Sequence, residues 1–357
     1  MSRITLKDIA TRAGVSVSTV SYALNDQSTV VLASETKTRI RMLARTLGYV
    51  PNGLARSLQA RSSRTIGVLL NKPLTTPRYA EIAQGLSEGL AARGFHLALL
   101  DGDSADNCVE DARGGRLEGL VFIGHDDHEV PADLARAVVE HRVPFTALDC
   151  GSTADTAWAT IDFDYAAGVE ELISHLREEG VTRIVHVLPQ VTSRADRVRT
   201  TAMAAATSSH GLSCLPVSTG MTDDLLTRLE SDPSAGSDYS VDITRRLDDA
   251  AAAILARDTD TTALVCSWGA DVEAVYRWAA MTDAGLRVAA LAGGQLDPRL
   301  WTRLTYSRLP LRRAGEIAAG LIIDARDPGT RASRITLAPT LDTGGRSPRA
   351  HDTEGPR

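Results

Sequence analysis

Cysteine is scarce in this chain, and what there is lies scattered. The four residues Cys108, Cys150, Cys214 and Cys266 form no C-x-x-C pair within the 357 residues. That excludes a disulfide-stapled scaffold and a paired-cysteine metal site, and it fits reduced structural thiols in a cytoplasmic protein. Long apolar runs are missing too. No stretch reaches the roughly 18 uncharged apolar residues of a membrane span, and no apolar secretory leader opens the sequence. Catalytic signatures are equally thin. There is no G-x-x-x-x-G-K-[ST] loop for nucleotide hydrolysis and no G-x-S-x-G nucleophile elbow. Gly293 and Gly294 follow a strand-like run, but the remaining glycine of a dinucleotide fingerprint is absent. The histidines are scattered except for His125 and His128 around Asp126 and Asp127. That run follows the strand-like LVFIG, where solvated loop charge is the plainer origin. The expectation is therefore no catalytic centre, no cofactor, no metal and no membrane.

The charge that is present is unevenly placed. The chain carries 39 Lys and Arg against 45 Asp and Glu, a net −6. Residues 1–62 hold nine basic residues against three acidic ones, which leaves 30 basic against 42 acidic in the remainder. A head of +6 on a body of −12 is the footprint of a module that meets phosphate while the rest avoids it. The length suits two or three domains with ample core.

Within that basic head, Thr5 to Asn25 reads as two short helices joined by a tight turn. Thr5 and Asp8 have capping-box spacing. Ile9, Ala10 and Ala13 share a helical face. Gly14 supplies the left-handed turn, Val15 plugs the angle, and Ser16 caps the second helix. Val20, Ala23 and Leu24 face back onto the first helix. Val17, Ser18, Thr19, Ser21 and Tyr22 are left outside. A short second helix with an exposed polar face suits a helix-turn-helix, whose second helix enters the DNA major groove. An ordinary helical hairpin would have little use for so polar an outer face. A third helix follows from about Ser34 to Leu47, with Ile40, Leu43, Ala44 and Leu47 as its stripe and Gly48 as its stop. Asn52 to Ala60 has Leu54, Ala55 and Leu58 on one side of a turn or two, too short to be stable alone.

From Thr65 the pattern alternates. TIGVLL, FHLALLD, LEGLVFIG, PFTALD, RIVHVL, TALVCS and RVAALA read as strands with helices between them. That implies parallel sheets covered on both faces, in two groups before and after about Asp164. The expected domains are a helix-turn-helix head over 1–51, a hinge helix over 52–62 and a two-lobed α/β body over 63–346. Its chain crossings are expected near 164, 295 and 328. A polar disordered tail would fill 347–357, without the leucine heptad of a tetramer-forming coiled coil. Ser231 to Ser240 has turn composition and reads as an insertion in a surface loop.

The Thr5–Asn25 stretch, together with LGYVPNGLARSL, resembles the lactose-repressor (LacI) family of bacterial transcription regulators. The likeness is dense over residues 4–62 and colinear to about 347. It implies a periplasmic-binding-protein-like (type I) effector body and a homodimer on double-stranded operator DNA. It also implies a small-molecule effector, a sugar or other metabolite, between the lobes. The DNA-binding residues it implies are Leu6, Ser16, Val17, Ser18, Thr19, Ser21, Tyr22, Asn25, Tyr49, Asn52, Ala55 and Leu58. Leu58 would wedge into the minor groove. Where Ala33 stands the family usually has a capping serine, so Ser34 becomes the candidate cap. For the effector, the resemblance points to Arg197 and Asp149, with Trp268 and Tyr79 as aromatic walls. The family's usual Asn-Asp pair after the TALVC strand is replaced by Ser267-Trp268, and its acidic residues after the next strand by Gly293-Gly294. Either the ligand is poorer in hydroxyls and stacks on Trp268, or the protein senses no ligand at all. The rival reading on the same fold is a two-lobed small-molecule-binding protein or enzyme with no regulatory DNA role.

Overall fold

The computed structural model describes residues 4–25, 30–49, 62–70, 72–101, 105–124, 129–151, 156–232, 234–256, 258–282, 284–292 and 304–343. It divides into two units, Met1–Ser63 and Arg64–Arg357.

The first unit holds α1 (Leu6–Ala13), α2 (Val17–Leu24) and α3 (Ser34–Thr46). The capping box forms as the spacing requires: Thr5 Oγ1 accepts from Asp8 N, and the Asp8 carboxylate accepts from Thr5 N at 2.8 Å. That hydrogen bonding holds the Asp8 carboxyl below its ordinary range. Gly14 closes α1 at φ 64°, a conformation in which a Cβ would be strained. Ile9, Val20, Ala23 and Ile40 are buried together as the centre of the three-helix core. Arg41 Nε reaches across to donate to the Ala23 carbonyl at 2.9 Å, satisfying an end that α2 has no basic residue of its own to cover. The expected serine cap of α3 is corrected by the structure. Ala33 occupies the cap position with no side-chain bond, and Ser34 is already the first helical residue.

The second unit is two α/β lobes. Lobe 1 contains β1 (Thr65–Leu70), α4 (Pro77–Ala91), β2 (His96–Asp101), α5 (Ala105–Arg113), β3 (Leu120–Ile123), α6 (Ala132–His141), β4 (Phe145–Leu148) and β5 (Ala159–Phe163). Lobe 2 contains α7 (Tyr165–Glu178), β6 (Arg183–Gln190), α8 (Arg194–Ser209), β7 (Ser213–Thr222), α9 (Asp223–Ser231), α10 (Ala235–Ile254), β8 (Thr262–Cys266), α11 (Val272–Met281), β9 (Arg287–Ala290) and β10 (Leu304–Arg308). The chain then returns through α12 (Leu311–Asp324) and β11 (Arg334–Leu337) to lobe 1, and ends in lobe 2 with β12 (Thr340–Asp342).

The sheets run β2-β1-β3-β4-β5-β11 and β7-β6-β8-β9-β10-β12. All pairings are parallel except β10 with β12. Each lobe thus repeats one doubly wound order, with its switch point between β1 and β3 or between β6 and β8. Strand residues alternate between two cores. Val68 and Leu70 face one side of the lobe 1 sheet and Leu69 the other. Leu264 and Cys266 likewise oppose Ala263 and Val265 in lobe 2. Both faces are covered, which is why these strands read as unbroken apolar runs.

The return crossings differ from expectation. They lie at Leu309–Pro310, between β10 and α12, and at residues 338–339, between β11 and β12, rather than near 295 and 328. Turn composition drew attention to the glycines, whereas a proline at each real crossing does the interrupting. The expected loop insertion at Ser231–Ser240 is also corrected. From Ala235 it is the first turn of α10, with Tyr239, Ile243 and Leu247 buried at helical spacing. Small polar residues at a helix start imitate a loop in composition.

Where α12 crosses α4, backbones touch. A Cβ on Gly85 would lie 2.0 Å from the Arg312 carbonyl oxygen, and one on Gly315 would lie 2.2 Å from that of Ile82. Backbone at both ends of the contact leaves no side chain free to give way. Gly315→Ala should therefore destabilise the body by roughly 1–3 kcal/mol through overpacking, despite the ~1 kcal/mol gain in helix propensity. Urea unfolding of the purified protein checks this; an unchanged or higher midpoint would show that the two helices can part without penalty.

Candidate functional site

In the first unit the exposed side of α2 is the feature of interest. Ser16 caps the helix, accepting from Thr19 N at 3.0 Å, and its hydroxyl lies 2.8 Å from that of Thr19. Val17 and Tyr22 are 44% and 41% exposed. Ser18 and Asn25 are exposed as well, while Thr19 and Ser21 are half-buried. Large apolar groups held in water on a short, capped helix are costly unless another surface covers them. Leu6 and Tyr49 are half-buried and pack against the three-helix core. Asn52, Ala55 and Leu58 lie outside the described residues.

In the second unit, the carboxyl ends of the two sheets meet around Asp149. This residue follows β4 with φ 56° and is 1% exposed. Its Oδ1 accepts from Arg194 Nη2 at 2.8 Å, its Oδ2 accepts from Arg78 Nη2, and both oxygens lie 3.0 Å from the Tyr165 hydroxyl. Arg78 also donates to the Tyr165 oxygen at 2.9 Å. Arg194 reaches Asp162 Oδ1 at 3.3 Å, and that oxygen accepts the Gly151 amide at 2.9 Å. Arg78 comes from α4 in lobe 1, and Tyr165 and Arg194 from the first residues of α7 and α8 in lobe 2. One carboxylate therefore gathers both lobes. Gly124 allows the approach, since a Cβ there would stand 2.6 Å from the Asp149 carbonyl.

Behind this network lobe 2 buries a second polar group. Arg199, 4% exposed, lies over the Tyr165 ring at 4.6 Å and donates to the Ser267 carbonyl at 3.3 Å. His186 Nε2 is 2.7 Å from the Ser267 hydroxyl. Burial lowers the His186 pKa to about 4, so its ring is neutral at pH 7. The Tyr239 hydroxyl donates to Asp271 Oδ1 at 2.5 Å. Burial raises the Asp271 carboxyl to about 7, opposed by the Tyr239 bond and reinforced by Asp196. Among the described residues no group of three or more His, Cys, Asp or Glu could hold a metal. His125–His128 lie outside them.

Comparison with known proteins bears on both units. A family model for "bacterial regulatory proteins, lacI family" matches residues 5–52, and one for "periplasmic binding proteins and sugar binding domain of LacI family" matches 63–226. The chain belongs to the LacI family. It is accordingly a DNA-binding transcriptional repressor with an effector-binding type of domain, and not an enzyme. It is 27% identical to the HTH-type transcriptional repressor PurR of Erwinia tasmaniensis, over 94% of this chain and 95% of that protein. Among solved structures it resembles the lac repressor dimer bound to operator and the anti-inducer ONPF, at TM-score 0.71 and 19% identity, covering 96% of this chain and 99% of the other. It also resembles the transcriptional regulator CelR in complex with cellobiose, at TM-score 0.57 and 19% identity, covering 95% and 98%. These likenesses show the fold, a helical head and two parallel-sheet lobes.

Measured against this LacI-type frame, the expected ligand residues separate. Asp149 is at the centre of the inter-lobe network. Trp268 is half-buried at the carboxyl end of β8. Tyr79 is not a cleft wall: it is 3% exposed within the lobe 1 core, because α4 starts at Pro77 and its third residue turns toward the sheet. Arg197 is exposed, whereas Arg199, two residues on and so about 200° around the helix, is the buried one. Sequence reasoning missed Arg78, Arg194 and Tyr165. Each sits at the start of a helix just after a strand, the place where open α/β sheets hold their ligands.

The Asp271 environment predicts a pH effect with a definite sign. The unfolded carboxyl loses its proton near 3.8, but the folded one keeps it to about 7. This group's stabilising contribution is therefore full below about pH 4 and is lost as pH rises to 7. His186 runs the other way, its contribution falling as pH drops through 6.5 toward 4. Only a difference measurement isolates Asp271. Asp271→Asn keeps an acceptor for Tyr239 and cannot ionise. Between pH 5.5 and 8 it should gain stability relative to the parent chain by on the order of 2 kcal/mol. Parallel pH profiles for the two proteins would refute the shifted carboxyl.

Proposed function

We propose that this repressor acts as a cytoplasmic homodimer on a near-palindromic operator, and that a small molecule closing the two lobes alters its affinity for that DNA. The observation that supports this best is the capped α2 of the head with its solvent-facing side; in this reading Val17, Ser18, Ser21 and Tyr22 would face the DNA. Two such heads on a two-fold axis would read two half-sites. In this reading the head spans 1–51, a hinge spans 52–62 and the effector body spans 63–346. Leu6, Ser16, Thr19, Asn25 and Tyr49 would hold the sugar-phosphate backbone or set the helix on it. Asn52, Ala55 and Leu58 would enter or border the minor groove. Arg199 takes the ligand-gripping role expected of Arg197, beside Asp149 and Trp268. Ligand closure would shift the spacing of the two hinges and with it the population competent for DNA.

Selection of random duplexes by the full-length protein tests the proposal: recovery of a motif with two-fold symmetry is expected, and recovery of no motif would overturn it. Salt adds a second measure. If six phosphates were neutralised per complex, the logarithmic slope of affinity against salt would be about −5. A nearly flat dependence would separate the head from DNA altogether.

Tyr22 carries a sharper expectation. Its single hydroxyl can make one bond to a base edge, or its ring can lie against a thymine methyl, and its neighbours Val17 and Ser18 offer no bidentate donor. Tyr22→Arg should raise preference for guanine at one symmetric position of each half-site, by roughly 1–3 kcal/mol. Identical motifs recovered with both proteins would mean that Tyr22 does not face the bases.

A further inference from the structure

Among the described residues at the carboxyl ends of the two sheets, the acceptors of Asp149 and Ser267 are engaged while some neighbouring donors are not. Asp149 has both oxygens engaged, by Arg194, Arg78 and Tyr165. The Ser267 carbonyl takes Arg199, and the Ser267 hydroxyl is paired with His186. Asp162 Oδ1 already accepts from Gly151 and Arg194. The donors are less fully used. Arg194 is 28% exposed and spends only Nη2 on Asp149 and Asp162; its Nε and Nη1 donate to no described residue. The Trp268 indole N–H is buried and likewise meets no acceptor among the described residues.

Guanidinium groups are gathered at this edge as well. Three guanidiniums stand over two neighbouring rings: Arg78 over Phe163 at 5.4 Å, and Arg194 and Arg199 over Tyr165 at 5.8 and 4.6 Å. Three carboxylates, Asp149, Asp162 and, on α8 between Arg194 and Arg199, Asp196, stand among the same elements. α4 and α8 are the next elements after β1 and β6, so their amino ends open on this edge; Thr76 offers α4 no side-chain cap, whereas Ser193 caps α8. An oxyanion brings its own acceptors and meets a planar guanidinium edge suited to two of them.

We propose that the cleft takes an oxyanion, a small metabolite bearing a carboxylate or a phosphate, received on the unused edge of Arg194 and the indole N–H of Trp268. This rests on reading the cleft as the effector site, and it names the ligand's chemical class.

The test is thermal unfolding of the full-length protein with inorganic phosphate, citrate, gluconate and glucose 6-phosphate, and with glucose as the neutral partner, all at matched ionic strength. A saturable rise in Tm is expected with at least one of the anions and none with glucose. Arg194→Gln should weaken the apparent affinity at least tenfold. Because that change also loosens the Asp149 network, Trp268→Phe provides the second arm: it keeps every ion pair, removes one N–H, and should weaken the same anion several-fold. The basic head also attracts anions, but equally in all three proteins. The proposal is overturned if no anion gives a saturable shift, if both variants respond like the parent, or if glucose saturates while its phosphate ester does not. Operator affinity measured in the same series separates the two readings. An anion shift that leaves operator binding unchanged upholds the oxyanion site and removes its effector role. A neutral sugar that alters operator binding does the reverse.

Discussion

The second unit of this protein turns on the Asp149 carboxylate. It is buried, it follows a strand in a left-handed backbone conformation, and its oxygens draw in groups from α4, α7 and α8. A buried carboxylate stripped of such partners would be strongly disfavoured, so the partners are a condition of Asp149 lying where it does. The consequence is mechanical. Arg194 and Tyr165 belong to lobe 2 and Asp149 to lobe 1, so any rotation of one lobe against the other must lengthen or exchange these bonds. In the proposed reading, the side chains that keep the lobes together are also the ones that border the effector. Binding and closure would then share one set of contacts, the condition for a ligand to shift a conformational equilibrium.

The head uses simpler physics for a related end. Its core is small, and α2 has only two fully buried residues, Val20 and Ala23. The helix is fixed at both ends by hydrogen bonds: Ser16 at its start and Arg41, sent from α3, at its finish. Capping lets a two-turn helix keep an outer face that contributes nothing to the core. That face is then available for chemistry with another molecule.

Much of this was legible in the sequence. The capping box at Thr5, the glycine stop at Gly14 and the apolar spacing of Ile9, Val20 and Ile40 are local signals, and the structure uses them locally. The unbroken apolar strands gave away a sheet covered on both sides. What was not legible depends on distance along the chain. Arg78, Asp149, Tyr165 and Arg194 are separated by up to 116 positions, and no local pattern joins them. Arg199 and Arg197 differ only in which face of α8 they occupy, and a polar segment gives weak phase information. Tyr79 reads as an aromatic wall of the cleft until the start of α4 is known. The Ser-, Asp- and Gly-containing stretch before Tyr239 has loop composition but is helical from Ala235, because Tyr239, Ile243 and Leu247 find a core to enter.

The meeting of α4 and α12 through Gly85 and Gly315 has a further consequence, one of timing. Lobe 1 is discontinuous: its first strand begins at Thr65, yet the helix that seats against α4 begins only at Leu311, and its edge strand β11 at Arg334. Lobe 2 is nearly continuous, lacking only the short β12. On a ribosome the lobe that is started first is therefore finished last. Until almost the whole chain has emerged, the flat glycine face of α4 and one edge of the lobe 1 sheet stand open, and such surfaces are prone to aberrant pairing in large proteins. Lobe 1 is sewn shut by α12, so the half-made protein presents its head well before lobe 1 is complete.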